Sequence, residues 1–221
     1  MKEEIKPEQE STKDRFSIYL ITLIFLFSAT YSIIRYHIFG GVEWSQLPVF
    51  IMNKIISFNG LILLTFTFSL KPLKNLGINI PQKWLSARKA IGISGFISIL
   101  IHLILSVLLF SPAYYSKFFN VDGTLTLNSG LSMISGVMAF VMLWYYNLSF
   151  YNQQKSREKN MIVRSRSFIL LIMPFVATHL FFMGYKGWLN PEGWHGGIPP
   201  ISLVAFLFFF VGYVINILGR K

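Results

Sequence analysis

The chain has 221 residues with a formal net charge of +11, and 53% of them are hydrophobic while only 13% are charged; the mean hydropathy is +0.54. A soluble domain of this size needs a far more charged surface, and the positive charge sits between apolar runs, a pattern of membrane topology rather than of nucleic-acid binding. No cysteine is present, which excludes disulfides, thiolate haem ligation, iron–sulfur clusters and a cysteine nucleophile.

Met1 to Arg15 is polar and of mixed charge, and reads as a flexible cytoplasmic tail. No small-residue cleavage site follows the first apolar run, so a signal peptide is not expected. Residues 16–221 then read as one transmembrane domain with six apolar stretches: Phe16–Ile38, Pro48–Leu70, Lys89–Phe110, Leu127–Leu148, Phe168–Gly187 and Ile201–Leu218. Each is near the ~20 residues that a bilayer core requires. The expected fold is all-α, a polytopic membrane helix bundle with six transmembrane helices.

Loop charge gives the direction. Lys71, Lys74, Lys83, Arg88 and Lys89 follow the second stretch. Lys155, Arg157, Lys159, Arg164 and Arg166 follow the fourth against Glu158 alone, and Arg220 and Lys221 follow the sixth. The other three connections carry only Glu43, then Lys117 and Asp122, then Lys186 and Glu192. The positive-inside rule therefore places both termini and both basic loops in the cytoplasm. Trp44, Tyr114, Tyr115, Trp188 and Trp194 fall at the outer interface, and Trp84 with Trp144, Tyr145 and Tyr146 at the inner one, as aromatic belts.

Ionisable residues within a span are costly and are functional candidates by default. His102 lies fourteen residues past Arg88 on the third stretch, and His179 thirteen past Arg166 on the fifth. At the helical rise both imidazoles sit about 20 Å from the cytoplasmic edge. The two stretches run in the same direction, so the histidines lie at one depth on parallel helices. A b-type haem takes two axial imidazoles from opposite walls, and this placement offers them. Gly95 and Arg88 precede His102 by seven and fourteen residues and share its helix stripe. Gly95 leaves room there for a planar ligand or for a close helix. Pro174 can kink the fifth helix beside the small Ala177. The same histidines can instead hydrogen-bond to a neighbouring helix, with Ser57, Asn59, Ser106 and Ser132 as partners.

A resemblance adds to this reading. Leu61–Leu76 (LILLTFTFSLKPLKNL), Trp84–Ser98 (WLSARKAIGISGFIS), Ile99–Leu105 (ILIHLIL) and ATHLFF at 177–182 occur in order. Together they make the stretch from about 48 to 187 resemble the ferric reductase-like transmembrane domain family. That family includes haem-binding membrane subunits of periplasmic methionine sulfoxide reductase systems. The resemblance implies a haem b electron-transfer protein or oxidoreductase subunit in a bacterial-type inner (plasma) membrane. Arg88-Lys89, Ile91-Gly92 and His102 stand in the places of the family's basic pair, glycine pair and ligand histidine, and His179 in its second ligand place.

Two-haem members carry a further histidine pair nearer the cytoplasm, where this chain has Arg88, Lys89, Ser165 and Arg166. One haem in the outer half is therefore expected. A quinol (quinone), a flavin such as FMN on the basic loops, or a separate soluble reductase or flavoprotein would supply its electrons. The acceptor would lie on the outer side, as ferric iron or a partner reductase. The candidate cofactor-binding set is His102 and His179 as axial iron ligands, with Gly95, Lys54, Arg88 and Arg166. Lys54 snorkels to the outer interface or pairs with a haem propionate; Arg164 and Arg166 suit a flavin phosphate, although topology alone explains them. His37 and His195 read as solvated loop histidines, since their spacing with Glu192 matches no metal signature. The segment 193–200 reads as a rigid turn into the last span. Outside the redox class, the chain reads as a transporter or as a non-redox assembly or scaffold protein.

Overall fold

The computed structural model describes residues 7–150 and 161–220. The described residues contain no β-strand and one antiparallel bridge, Phe119 to Leu125. Apolar runs become helices in lipid because a helix satisfies its whole backbone internally. Six long helices result: α1 (Pro7–Ser32), α2 (Met52–Asn75), α3 (Gln82–Leu108), α4 (Leu127–Leu148), α5 (Arg166–Trp188) and α6 (Ile201–Leu218). Six helical segments, one overlapping each of these helices, are long and apolar enough to cross a membrane, which makes the chain a multi-pass membrane protein.

Five of the expected stretches fall within these segments; the third, Lys89–Phe110, overruns its segment, which ends at Leu108, and elsewhere the helices outrun the apolar residues. α1 opens at Pro7, so it takes in most of the segment expected as a flexible tail. Proline suits the first helical turn. Residues 1–6 lie outside the described residues, as do Lys155, Arg157, Glu158 and Lys159 of the second basic loop. α3 opens at Gln82, behind the extended Pro81, and not at Lys89. α2 runs through Pro72 to Asn75. Hydropathy marks the part of a helix in hydrocarbon, whereas the backbone stays helical into the polar flanks.

α2 is the central helix and packs on α1, α3 and α6, while α5 packs on α4 and α6. α3 and α4 touch only lightly. The main core joins Phe58, Leu61 and Phe68 of α2 to Leu143 of α4, Met173 of α5, and Ala205 and Phe209 of α6. Outward faces remain apolar, with Ile97, Ile101 and Ile104 on α3, Ile134 and Val141 on α4, and Leu207 and Val211 on α6 all exposed. Surfaces of that kind are suited to lipid.

The end opposite the basic loops is tied together by side chains. The chain leaves α1 through a π-helical segment, Ile33–Ile38, and reaches α2 through another, Leu47–Ile51. Tyr31 Oη donates to the Pro199 carbonyl at 2.7 Å, and the Arg35 guanidinium donates to the carbonyl of Ile198. Gly196 makes the intervening turn possible. Its φ is +59° and a Cβ there would collide with the Phe39 ring, so both conformation and space require glycine.

Candidate functional site

Between α2 and α3 on one side and α4 and α5 on the other, the light α3–α4 contact leaves a cavity of about 750 Å³, walled also by α6. That is the size of a small-molecule or cofactor site. Towards the basic loops it ends on apolar Phe68, Leu143, Ile172 and Phe209. Towards the other end its lining passes to loop residues, among them Tyr115, Lys117, Trp194 and His195. The cavity is therefore sealed on the basic side by the core.

His102 of α3 and His179 of α5 both line it, and they are close enough to interact electrostatically. Each ring is anchored through Nδ1. His102 Nδ1 donates to Asn53 Oδ1 at 2.6 Å. Asn53 is 1% exposed, and its amide donates to Ser106 Oγ at 3.2 Å and to Tyr115 Oη at 3.3 Å. Those two bonds turn Oδ1 towards the histidine. His179 Nδ1 donates to the Ser132 carbonyl at 2.8 Å, and Ser132 Oγ donates back to the His179 carbonyl at 3.1 Å. An oxygen acceptor at Nδ1 fixes the proton there and leaves the lone pair on Nε2. Neither Nε2 has a protein partner among the described residues.

The remaining candidates separate. Lys54 lines the cavity and turns inward, with Nζ 3.4 Å from Tyr115 Oη. Gly95 does not line it: a Cβ there would lie 3.0 Å from Leu64 Cγ and 3.1 Å from Leu63 Cβ, so this glycine serves the close approach of α3 to α2. Arg88 Nε donates to the Thr67 carbonyl at 3.0 Å, and Arg166 Nη2 to the Asn216 carbonyl at 3.0 Å. These two arginines tie helix ends on the basic side and stand away from the cavity. Arg164 is held against the Ser149 carbonyl and the Phe150 ring. His37 donates from Nδ1 to the Val42 carbonyl at 2.7 Å and packs on Trp44. His195 is exposed but lines the cavity mouth. Tyr115, expected in the outer aromatic belt, is 9% exposed and points inward.

Four further residues belong to the site. Gly136 of α4 faces His179 so closely that a Cβ would lie 2.7 Å from Nδ1. Asn53 orients His102, and its position in a span next to Lys54 is the sequence signal that could have found it. Arg35 lines the cavity at 5% exposure; it is a charge inside the first apolar stretch, and that was its signal. Lys117 also lines the cavity, and nothing in the sequence singles it out. Among the described residues, no group of three or more metal-ligating side chains converges. Comparison with known protein families and with curated proteins finds no match.

Proposed function

We propose that the protein is a haem b electron-transfer protein of the membrane, with His102 and His179 as axial ligands through Nε2. The observation that carries this reading is the paired anchoring of the two rings. Two histidines on opposite walls of one cavity are each fixed through Nδ1 by an oxygen acceptor, the arrangement that orients metal-ligating imidazoles and raises their basicity. Two protein donors are too few for a bare metal ion but are the number that a haem needs, because the macrocycle supplies the other four. The mostly apolar cavity leaves space for a flat ligand, and Gly136 lets the His179 ring lie close against α4.

The bound group would supply reversible one-electron chemistry. The protein holds it, keeps water out with its apolar walls and fixes the imidazole tautomers. Electrons come from a membrane quinol, a flavin or a separate donor protein, and leave at the end where the cavity reaches the loops. The positive-inside rule supports an outward position for that end, in a bacterial-type inner membrane. Expression in a haem-replete host and a reduced-minus-oxidised spectrum test the reading. Sharp α and β bands with a Soret band are expected, and each should be lost in His102→Ala and in His179→Ala. A colourless, folded protein overturns it and leaves the second reading, a non-redox carrier or scaffold. That second reading rests on the same Nδ1 bonds taken alone, which satisfy one nitrogen of each ring without any ligand but leave each Nε2 without a protein partner among the described residues.

A further inference from the structure

The cavity carries three cationic side chains, Arg35, Lys54 and Lys117, and no Asp or Glu appears among its described lining residues. Positive charges gathered in a poorly solvated space repel one another and lose hydration, so they persist where something compensates them. The protein supplies only part of that compensation. Tyr115 and Phe118 stack at 5.1 Å and 11°, with Lys54 Nζ 4.9 Å from the centroid of the first ring and Lys117 Nζ 5.4 Å from that of the second. Lys54 shares Tyr115 Oη with Asn53. Lys117, an exposed residue, sends its ammonium to the Met183 carbonyl at 3.2 Å. Every one of these partners is neutral. Arg35 is 5% exposed, bonded to the Ile198 carbonyl and set over Tyr36, yet its buried Nε has no partner among the described residues.

We propose that the loop-side end of the cavity is a carboxylate-binding site, in which Lys54 and Lys117 hold the anionic end of the ligand and Arg35 adds the third positive charge. The Tyr115–Phe118 stack carries one ammonium at each ring, and each ammonium keeps N–H donors for an acceptor. Burial first, and Lys54 second, pull the Lys117 ammonium down to about 8, which marks a charge without a counter-ion. The carboxylate comes from one of two sources: the propionates of a haem seated between His102 and His179, or a free polycarboxylate arriving through the loop-side mouth. The site does not depend on the haem reading, because the uncompensated charges are there whichever ligand fills the cavity.

The full chain in nanodiscs of a zwitterionic lipid tests this in two arms, with Lys54→Gln, Lys117→Gln, the double variant and the Lys→Arg pair as comparators. Size exclusion and thermal unfolding check folding, and the Lys→Arg pair is expected to retain binding. In the first arm citrate is titrated calorimetrically into haem-free protein. Binding that weakens about 10- to 100-fold per lysine removed supports the site with a free carboxylate as its ligand. In the second arm haem and haem dimethyl ester are titrated by absorbance. Tighter binding of haem than of its ester, with the difference lost in the double variant, supports the site with the propionates as its ligand. Citrate binding without any haem binding rejects the haem reading and keeps this proposal. Haem and ester binding alike in every protein, with no citrate uptake, does the reverse. No lysine-dependent carboxylate binding in either arm overturns the proposal.

Discussion

Gly136 stands directly against the imidazole of His179, in the place a β-carbon would need, 2.7 Å from Nδ1. Ser132, which holds that nitrogen, lies one turn earlier on the same face of α4. Gly136→Val therefore pushes the ring off its anchor while the exposed outer face of α4 is unchanged. Loss of most haem absorbance is expected, with the protein still eluting as a folded species. Gly95→Ala is the contrast. It crowds Leu63 and Leu64 at 3.0–3.1 Å, so it should lower the unfolding temperature and leave the spectrum as it was. If the two variants behaved alike, His179 would have no special dependence on Gly136.

Among the described residues, Asn53 Oδ1 and the more distant Ser106 hydroxyl are the side-chain oxygens within bonding distance of His102 Nδ1. Asn53→Leu removes that acceptor and frees the ring to take either tautomer. Haem affinity is expected to fall about 10- to 100-fold, the usual effect of removing a residue that orients a metal ligand. Asn53→Asp keeps an acceptor and should bind haem more tightly than the leucine variant. Absorbance titration checks both, and equal affinity in all three proteins would remove Asn53 from the site.

The six helices were legible because hydrocarbon thickness sets a length that composition reports directly. That His102 and His179 line one cavity was legible for a related reason: both are counted from a basic edge along helices that run the same way. What stayed hidden depends on contacts between elements. Gly95 lies on the His102 stripe, but only the closeness of Leu63 and Leu64 on α2 decides that its space is filled by a helix rather than a ligand. Arg88 and Arg166 read as cofactor contacts in the sequence, yet they donate to the carbonyls of Thr67 and Asn216. Lys117 sits in an ordinary loop, and the fold of that loop over Phe118 carries its ammonium into the cavity lining.

The roles of those two arginines are separable from haem binding. Arg166 Nη2 bonds the Asn216 carbonyl at 3.0 Å, and the same guanidinium reaches the carbonyl of Gly219, clamping the start of α5 to the end of α6. Arg166→Gln should cost about 2 kcal/mol of stability, the scale of a charged hydrogen bond. Arg88→Gln, which loses its bond to the Thr67 carbonyl, should cost a similar amount. The α band should keep its position and height per folded protein in both. A spectral change in either would return that arginine to the cofactor site.

Lys117 makes stability depend on pH in the alkaline range. In the folded, ligand-free protein its ammonium is pulled from 10.5 down to about 8 by burial and then by Lys54. The unfolded chain thus holds a proton that the folded chain has released between those two values, and stability rises with pH across that window. The other titratable or charged groups lining the cavity are Arg35, Tyr36, His102, Tyr115, His179 and His195. Their contributions persist in Lys117→Gln, so the difference between the two proteins isolates the lysine. Thermal unfolding from pH 7 to 11 should show the parent gaining on the variant above pH ~8 and levelling by ~10.5. Saturating citrate should reduce that gain, because an anion beside the ammonium restores its charge. Parallel profiles for the two proteins would mean that the Lys117 ammonium is fully solvated.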